Sequence, residues 1–333
     1  MIMTVRRLAV LALSAAALSF PLHAQSTQCT GQAAALRDAC QKGTDIFEML
    51  APQVNGALTG GGPVLGSSRA VRGLSIGLRV NAVDGRAPDL ANVRLSATGI
   101  VRSTIPTTRV PVPGPAVDVA VGLFPGVSLG LQRVLAIDAL VNVAYIPSRD
   151  IKDFTVKTTN GSLKLGYGAR VGLLADRMLM PAVAVSYFRR SLPTASYSTT
   201  FTSSVSGVTT NDSLVLNKLS IRNDALRLSL SKKLGFIEIG GGVGQDKYRT
   251  STILHARVSP SIGSSVTSDV TLNQEIKRNA AYGSLALNLF KLRIGAEAGS
   301  IFGGDSLATY NTFTDGKLNE QHLFGSVGLR LSF

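Results

Sequence analysis

The sequence predicts an all-β transmembrane antiparallel β-barrel of about twelve strands, within a range of ten to fourteen, preceded by a short α-helical segment. Three observations predict this fold: an export signal at the N-terminus, segments of about ten residues with alternating apolar and small polar residues, and a last strand ending at Phe333. A tilted strand needs about ten such residues to cross a membrane. Only 16% of the 333 residues are charged and 45% are hydrophobic, which argues against a disordered chain.

Residues 1–24 have the pattern of a cleavable signal peptide. Arg6 and Arg7 precede an apolar run at residues 8–20, and residues 21–24 supply a small-residue cleavage site. The run is short for a spanning helix, and no later segment offers about 20 uncharged apolar residues. Two classes therefore remain: a soluble exported β-protein and a β-barrel in the outer membrane.

Residues 25–70 are predicted to form an N-terminal helical segment that could plug the lumen of a barrel. The composition favours helix at residues 31–58, and Pro52 predicts two short helices or one broken helix. In an oxidising compartment Cys29 and Cys40 are expected to form a disulfide. An unbroken helix between them would hold the thiols about 16 Å apart, so a bond requires Cys29 to lie outside the helix. No metal site is expected, because no histidine lies near the two cysteines.

The remaining residues, 71–333, show a period of two. One face of each segment carries Leu, Val and Ile, and the other carries Gly, Ser, Ala and Asn with an occasional charge, which suits a wet lumen better than the charged surface of a soluble sandwich. Connections alternate between short and long, as in barrels with short periplasmic turns. Eleven segments fit strands, and 61–70 and 196–204 are candidates for a twelfth; the eleven are 72–83, 93–102, 116–124, 134–146, 161–174, 181–191, 214–233, 236–248, 276–289, 291–302 and 322–333.

Charged residues at the polar positions of these strands are predicted to face the lumen. One interpretation is a set of internal salt bridges that stiffen a narrow barrel. The other is a basic ladder along a pore that favours anions. The formal charge is +14, and it becomes +12 when Arg6 and Arg7 leave with the signal peptide. The predicted lumen residues are Arg79, Asp118, Asp138, Lys164, Arg170, Arg227, Glu238, Arg293, Glu297 and Arg330.

The end of the chain resembles the C-terminal assembly signal of bacterial outer-membrane proteins, a final strand of alternating apolar residues that ends in Phe. The positions that carry the resemblance are Leu323, Gly325, Val327, Leu329, Leu331 and Phe333. The resemblance implies recognition by the barrel-assembly machinery and location in the outer membrane. The expected partners are therefore this machinery, periplasmic chaperones, outer-membrane lipid and lipopolysaccharide.

A second resemblance covers most of the mature chain. The short Cys-containing helical start, the stretch Gly61–Gly66 and the strand Ser162–Gly168 are similar to those of uncharacterised bacterial outer-membrane proteins, which bring no assigned activity. An N-terminal hatch inside a barrel is also the architecture of the long-chain fatty acid transporter family, although no motif of that family is present.

No catalytic residue and no cofactor are expected. Gly126–Gly130 matches the G-x-S-x-G pattern of a nucleophile elbow, but it follows Pro125 in a predicted turn between strands, whereas the elbow lies between a strand and a helix. An enzyme would need a loop-borne histidine with an acidic partner, for which His255 is the candidate. Nucleic-acid binding is not expected, since there is no basic helix.

The leading functional hypothesis is a narrow pore or transport channel for small solutes, with anionic solutes favoured by the net charge. The alternatives are a sealed structural or adhesin-type barrel with Ser/Thr-rich outer loops, and a transporter of hydrophobic compounds with an N-terminal hatch. The last alternative predicts a lateral gap or an apolar pocket in the lumen.

Overall fold

The computed structural model describes the chain from Gln25 to Phe333 with short gaps, so the predicted signal peptide lies outside the described residues. The described ranges are 25–71, 73–89, 93–96, 98–146, 149–151, 154–158, 161–177, 180–205, 208–259, 264–314 and 318–333.

From Gln25 onward, two helices precede the first strand. Helix α1 spans Thr27–Thr30, and helix α2 spans Ala34–Thr59 without interruption, so the expected break at Pro52 is wrong. Proline has no N–H to donate to the carbonyl one turn earlier, at Glu48. That carbonyl accepts a hydrogen bond from the Gln274 side chain at 3.2 Å instead, which removes the penalty for an unpaired buried group. Among the described residues, no helix is both long enough and apolar enough to span a membrane.

The strands are antiparallel except for one short parallel pair, β2 with β16. In chain order they are β1 (Leu74–Pro88), β2 (Thr104–Ile105), β3 (Thr107–Phe124), β4 (Val127–Leu129), β5 (Gln132–Val134), β6 (Ala136–Tyr145), β7 (Arg149–Ile151), β8 (Phe154–Thr158), β9 (Leu163–Leu174), β10 (Ala182–Ser191), β11 (Ala195–Val205), β12 (Val208–Leu234), β13 (Ile237–Val258), β14 (Val266–Leu289), β15 (Leu292–Phe302), β16 (Thr312–Phe313) and β17 (His322–Ser332).

Ten of the strands close into a ring. The order around it is β1, β3, β6, β9, β10, β12, β13, β14, β15 and β17, and the pairing of β17 with β1 completes it. Strands β11, β8 and β7 belong to the same sheet, in which β11 pairs with the N-terminal part of β12, on the edge where β10 pairs with its C-terminal part. The sheet therefore has thirteen strands among the described residues. The predicted antiparallel barrel is confirmed, and its ring count lies at the lower end of the predicted range.

Several predicted segments have other structures. The described part of 93–102 is not a strand, and 61–70 is not one either. Segment 196–204 does form a strand, β11, which lies outside the ring. The stretch 249–275, which connects the predicted strands 236–248 and 276–289, is mostly the far end of β13 and β14. Its polar alternation is that of strands that continue beyond the apolar belt.

The outer face of the ring carries an apolar belt. Five of the six alternating positions at the end of the chain carry exposed apolar side chains, with Val327 at 61% and Phe333 at 62%. The sixth, Gly325, lies between Leu323 and Val327 and is half-buried. Leu226, Leu228 and Leu230 repeat the pattern on β12. A closed ring with this belt has no unpaired edge at membrane depth, which is what a bilayer requires of strands.

The two ends of the barrel differ. Short connections join β5 to β6, β9 to β10, β12 to β13 and β14 to β15 at one end, here called the turn end. At the opposite end, the loop end, β12, β13 and β14 reach 27, 22 and 24 residues, and β11 continues the pairing of β10 with β12, whereas β6 has only 10 residues. By the rule for such barrels the loop end faces outward from the cell. The wall is therefore tall on one side and low on the other.

Candidate functional site

The N-terminal segment lies inside the barrel. Helix α2 occupies the loop-end half, where its apolar residues Ile46 and Phe47 belong to the largest buried cluster. Residues 60–71, here called the lumen segment, run on through the turn-end half towards β1. The Cys29–Cys40 disulfide is present and joins α1 to α2 with 5.5 Å between the Cα atoms, which confirms the predicted bond and its geometry.

Most of the predicted lumen charges form buried pairs inside the barrel. Each of four arginines contacts a carboxylate on another strand, so neither charge of a pair is left alone in a site of low dielectric. The pairs are Arg79–Asp118 at 3.0 Å, Arg170–Asp138 at 2.6 Å, Arg227–Asp246 at 2.8 Å and Arg293–Glu238 at 2.9 Å.

The other predicted lumen positions behave differently from one another. Arg330 is buried and its Nη1 donates to Ser75 Oγ at 3.0 Å. Lys164 shares the inward side of β9 but is exposed, because it lies where β6 and β9 end at the loop end. It therefore does not line the closed part of the lumen.

Glu297 binds the lumen segment directly. Its Oε2 accepts a hydrogen bond from Gly62 N at 3.1 Å, and its Oε1 accepts one from Gly66 N at 2.9 Å. Arg79 adds a bond from its Nη1 to Gly62 O at 2.9 Å. A carboxylate that accepts two backbone N–H groups holds a turn in place more strongly than a neutral acceptor does.

One buried ion pair, Arg170–Asp138, holds the other half of the lumen segment. Arg170 donates to the carbonyls of Ser67 and Arg69 at 3.0 and 2.7 Å, and its partner Asp138 accepts from Val71 N at 3.1 Å. The lumen charges are thus ligands of the chain's own backbone. The structure combines the predicted internal salt bridges with a plug, and it leaves no free basic ladder among these residues.

Polar residues of α2 fasten the helix to the loop end. Asp45 accepts hydrogen bonds from Asn311 N and Nδ2 at 2.8 and 2.7 Å. Asp38 pairs with Lys42 at 2.6 Å and also accepts from the backbone N–H of Ser96 at 2.8 Å. These contacts connect the helix to the irregular segments above the ring, so the helix and the outer loops form one packed unit.

A cavity of about 580 Å³ lies between α2 and the low side of the wall. The helix contributes Ile46, Phe47, Leu50 and Val54, and the described wall contributes apolar residues from β1, β3, β6, β11 and β12. Its size is that of a site for one drug-sized molecule. The wall residues include Val80, Val110, Val112, Ala144, Ile146, Leu192, Tyr197, Leu214 and Leu216.

Several polar side chains in this cavity already have partners, and the charged side chain of Arg86 contacts Glu320 at 3.3 Å. Gln53 Nε2 donates to Met49 O at 2.9 Å, and Asn142 Nδ2 donates to Asp118 Oδ1 at 2.7 Å. Asn81 Oδ1 accepts from Ser326 Oγ at 2.6 Å. A molecule bound in the cavity would therefore contact a mainly apolar surface on which these polar groups are already hydrogen-bonded. Such a surface favours an uncharged molecule.

Strand β3 forms an unusual edge beside the cavity. It pairs with β1 along Thr107–Val121, but its ladder with β6 begins only at Ala116. The stretch before Ala116 contains Pro111, Pro113 and Pro115, whose ring nitrogens all lie on the edge turned away from β1 because they occupy alternate positions. Proline cannot donate to a ladder, so this edge stays free of a neighbouring strand. Among the residues that the structure describes, the wall is laterally open there, above the end of β6.

The approach of α2 to this edge is close. A Cβ atom at Gly114 would collide with the carbonyl oxygen of Ala57, so only glycine lets the helix lie directly against β3. The proline edge and the helix together form the mouth of the cavity.

Glu48 gives the helix a pH dependence. It lies at the loop end, outside the spanning strands, where burial chiefly, and the Asp45 charge next, raise the pKa of its carboxyl to about 7. A folded pKa above the usual 4.5 means that the folded state binds more protons between these values, so stability falls as pH rises from about 4.5 to 7.

We expect the thermal unfolding midpoint of Glu48→Gln to fall less than that of wild type between pH 5 and pH 8. The exposed-residue variant Glu275→Gln should keep the wild-type slope, and equal slopes in Glu48→Gln and wild type would contradict the assignment.

The histidine and the glycine motif of the enzyme hypothesis lie far apart. His255 has an acidic partner, with Nδ1 at 2.7 Å from Asp269 Oδ1, on the extension of β13 and β14. Ser128 of the Gly126–Gly130 motif lies in the β4–β5 hairpin at the turn end. The motif is a turn between strands, as the sequence indicates.

Sequence reasoning missed three parts of this site. Asp246 and Arg190 are buried in the lumen, and both lie at inward positions of the predicted strands 236–248 and 181–191, so the alternation itself could have identified them. The proline edge was readable as Pro111, Pro113 and Pro115 at alternate positions. The cavity had no sequence signal, because it depends on how far α2 lies from the wall.

Comparisons with known proteins do not assign the chain to a family. No protein-family model matches it, and no curated protein does. Similar solved structures include the translocator domain of the autotransporter NalP from Neisseria meningitidis, with 13% identity over 91% of this chain and all of that one, at a TM-score of 0.39. The β domain of the Bordetella autotransporter BrkA shares 12% identity over 79% of this chain and all of that one, at 0.32. Ail of Yersinia pestis shares 10% over 79% of this chain and all of that one, at 0.26.

The class of the protein follows from its own structure. A closed antiparallel ring, an outward apolar belt and a terminal strand ending in Phe333 occur together, and the interior is filled by the chain's own N-terminal segment. The chain is a plugged β-barrel of the outer-membrane type.

Proposed function

We propose that this barrel takes up small hydrophobic molecules from the outer side of the outer membrane and holds them in the cavity beside α2. The observation that carries the proposal is the cavity of about 580 Å³ with its apolar lining. An apolar cavity of this kind stays dry and binds apolar guests, because water inside it would find few polar partners. This is the hatch-containing alternative of the sequence analysis rather than its leading hypothesis.

The proline edge of β3 supplies the entry. Strand β6 has 10 residues and ends at Tyr145, where the cavity lining begins. A tilted strand of this length covers about the 25 Å height of the apolar belt, so the opening lies at its outer boundary. A hydrophobic molecule could pass there without crossing the charged lumen.

The predicted anionic pore receives less support. The inward charges that would form it bind the lumen segment or one another, as Glu297 and Arg170 do. A passage through the turn-end half therefore requires the lumen segment to leave its bonds. Transport is then a two-stage event, in which binding in the cavity comes first and displacement of the lumen segment follows.

Filling the cavity should abolish binding. Leu50 and Val54 lie one helical turn apart on α2 and both line the cavity, so Leu50→Trp and Val54→Trp place a bulky ring in it. We expect the affinity of the purified barrel for an apolar fluorophore, N-phenyl-1-naphthylamine, to fall at least about tenfold in either variant.

The control is Leu228→Trp, at a position that faces outward from the belt with 47% exposure. It adds the same ring outside the cavity and should bind as wild type does. Unchanged binding in both cavity variants would show that the fluorophore binds elsewhere. Absence of specific binding in wild type would favour the sealed structural barrel instead.

A further inference from the structure

A second surface, outside the cavity and independent of it, carries a regular array of charges. The pairing registers place two outward-facing rows across β10, β12, β13 and β14, which we call the cationic band. The row nearer the turn end is Arg189, Asp224, Lys247 and Lys277, and the next is Ser191, Arg222, Arg249 and Glu275.

Two like-charge pairs lie directly opposite each other in this band. Arg222 is the register partner of Arg249, and Lys247 is the register partner of Lys277. Like charges at directly opposed positions destabilise a sheet. Local rules of this kind are broken mostly at functional or strained sites, so two such pairs in adjacent rows point to a functional surface.

The two carboxylates of the band do not neutralise it. Asp224 contacts both Arg189, at 2.6 Å, and Arg249. Glu275 contacts Lys247 at 2.5 Å and Arg249 at 3.0 Å. Each carboxylate thus bridges two cations and fixes their positions, which leaves five positive charges against two negative ones.

Arg222 and Lys277 complete the band. Both are exposed, and within the described ranges no carboxylate forms an ion pair with either side chain; Asp305 accepts a hydrogen bond from the backbone N–H of Lys277 at 2.8 Å. Their charges are available to a ligand that approaches from the lipid side.

The height of the cationic band above the turn end indicates which ligand it can reach. Asp224 lies ten residues before Leu234, which closes β12 at the turn end. Ten residues span about 34 Å along a strand and about 26 Å of height at a tilt of about 40°. This is the height of the apolar belt, so the band lies at the level of the outer headgroups. The exposed Leu226, Leu228 and Leu230 lie directly below it on the same strand.

We propose that the cationic band binds the phosphorylated headgroup of an outer-leaflet glycolipid whose acyl chains lie along the leucines of β12. Phosphate oxygens would bridge the opposed pairs Arg222–Arg249 and Lys247–Lys277, since arginine and lysine are the usual phosphate partners. A free anion would use the charges but not the leucines, so the combined surface fits a lipid.

The test measures binding of diphosphoryl lipid A to the full chain in detergent micelles at low salt. The Arg222→Gln, Lys277→Gln double variant should bind at least about tenfold more weakly, since each cation near an anionic lipid surface contributes about a factor of five. The charge-keeping variant Arg222→Lys, Lys277→Arg should stay within about threefold of wild type, which separates charge from misfolding.

A matched control removes two charges at the opposite end. Lys233 and Lys291 are exposed at the turn end, and Lys233→Gln, Lys291→Gln should bind as wild type. Equal affinity of the Arg222→Gln, Lys277→Gln variant and wild type overturns the proposal. Equal affinity for lipid A stripped of its phosphates also overturns it, and so does displacement by inorganic phosphate at the concentration of the lipid.

Discussion

Glu297→Ala is expected to turn a closed barrel into one that conducts ions. The side chain accepts hydrogen bonds from the backbone N–H groups of Gly62 and Gly66, which are two of the bonds that hold the first half of the lumen segment. A bond to a charged group contributes about 1.5–3 kcal/mol. Losing two should destabilise the closed arrangement by about 3 kcal/mol, which raises the open population by about a hundredfold.

Planar-bilayer recording measures the expected change directly. Wild type should show rare openings, and Glu297→Ala should show openings about a hundredfold more often. Glu275→Ala is the matched control, because it removes a carboxylate of the same chemistry from the outer face, where it contacts Lys247 and Arg249 rather than the lumen segment. If Glu297→Ala conducts as rarely as wild type, the lumen segment is not the barrier. Steady conduction by wild type would restore the aqueous pore of the sequence analysis.

The period-two pattern made the barrel predictable. One face of each strand contacts lipid and the other faces a crowded lumen, so apolar residues recur at every second position. Leu226, Leu228 and Leu230 show it, and they are exposed in the structure. The same pattern placed Arg79, Arg170 and Glu297 on inward positions. Alternate residues of a strand point to opposite faces, so the assignment needs no knowledge of the neighbouring strands.

Alternation does not say where a spanning strand ends. Beyond the apolar belt β13 and β14 continue with polar residues on their outer face, so the sequence pattern there resembles a loop. Conversely, Val93 and Leu95 alternate with polar residues in 93–102, a segment predicted as a strand whose described part is not one. Strand number was therefore less predictable than strand existence.

Contacts between distant segments were beyond the sequence. The tolerance of Pro52 inside α2 depends on Gln274, which supplies the missing donor to the Glu48 carbonyl. The lumen charges were identified, but their partners are backbone atoms of residues 60–71, and no side-chain pattern marks such atoms. The function therefore depends on packing that the pattern could not show.

Removing the disulfide is expected to loosen the loop-end half of the plug. The bond closes a loop between positions 29 and 40, and both sulfur atoms are buried beneath the barrel extension. A cross-link of about this loop length removes close to 3 kcal/mol of chain entropy from the undocked state. In Cys29→Ser, Cys40→Ser, the amides of the first three turns of α2 should exchange with solvent about a hundredfold faster, because local opening of this helix becomes that much easier.

Hydrogen–deuterium exchange on the reconstituted barrel tests this, and the redox state supplies its own control. Reductant should accelerate exchange at the start of α2 in wild type but leave the Cys29→Ser, Cys40→Ser variant unchanged. The lumen segment should keep its protection in both, since its bonds run to Glu297, Arg170 and Asp138 and not to the disulfide. Faster exchange throughout residues 34–71 would mean that the helix and the lumen segment move as one body. In that case the cavity and the closed lumen would open together, and the two-stage order of transport would be wrong.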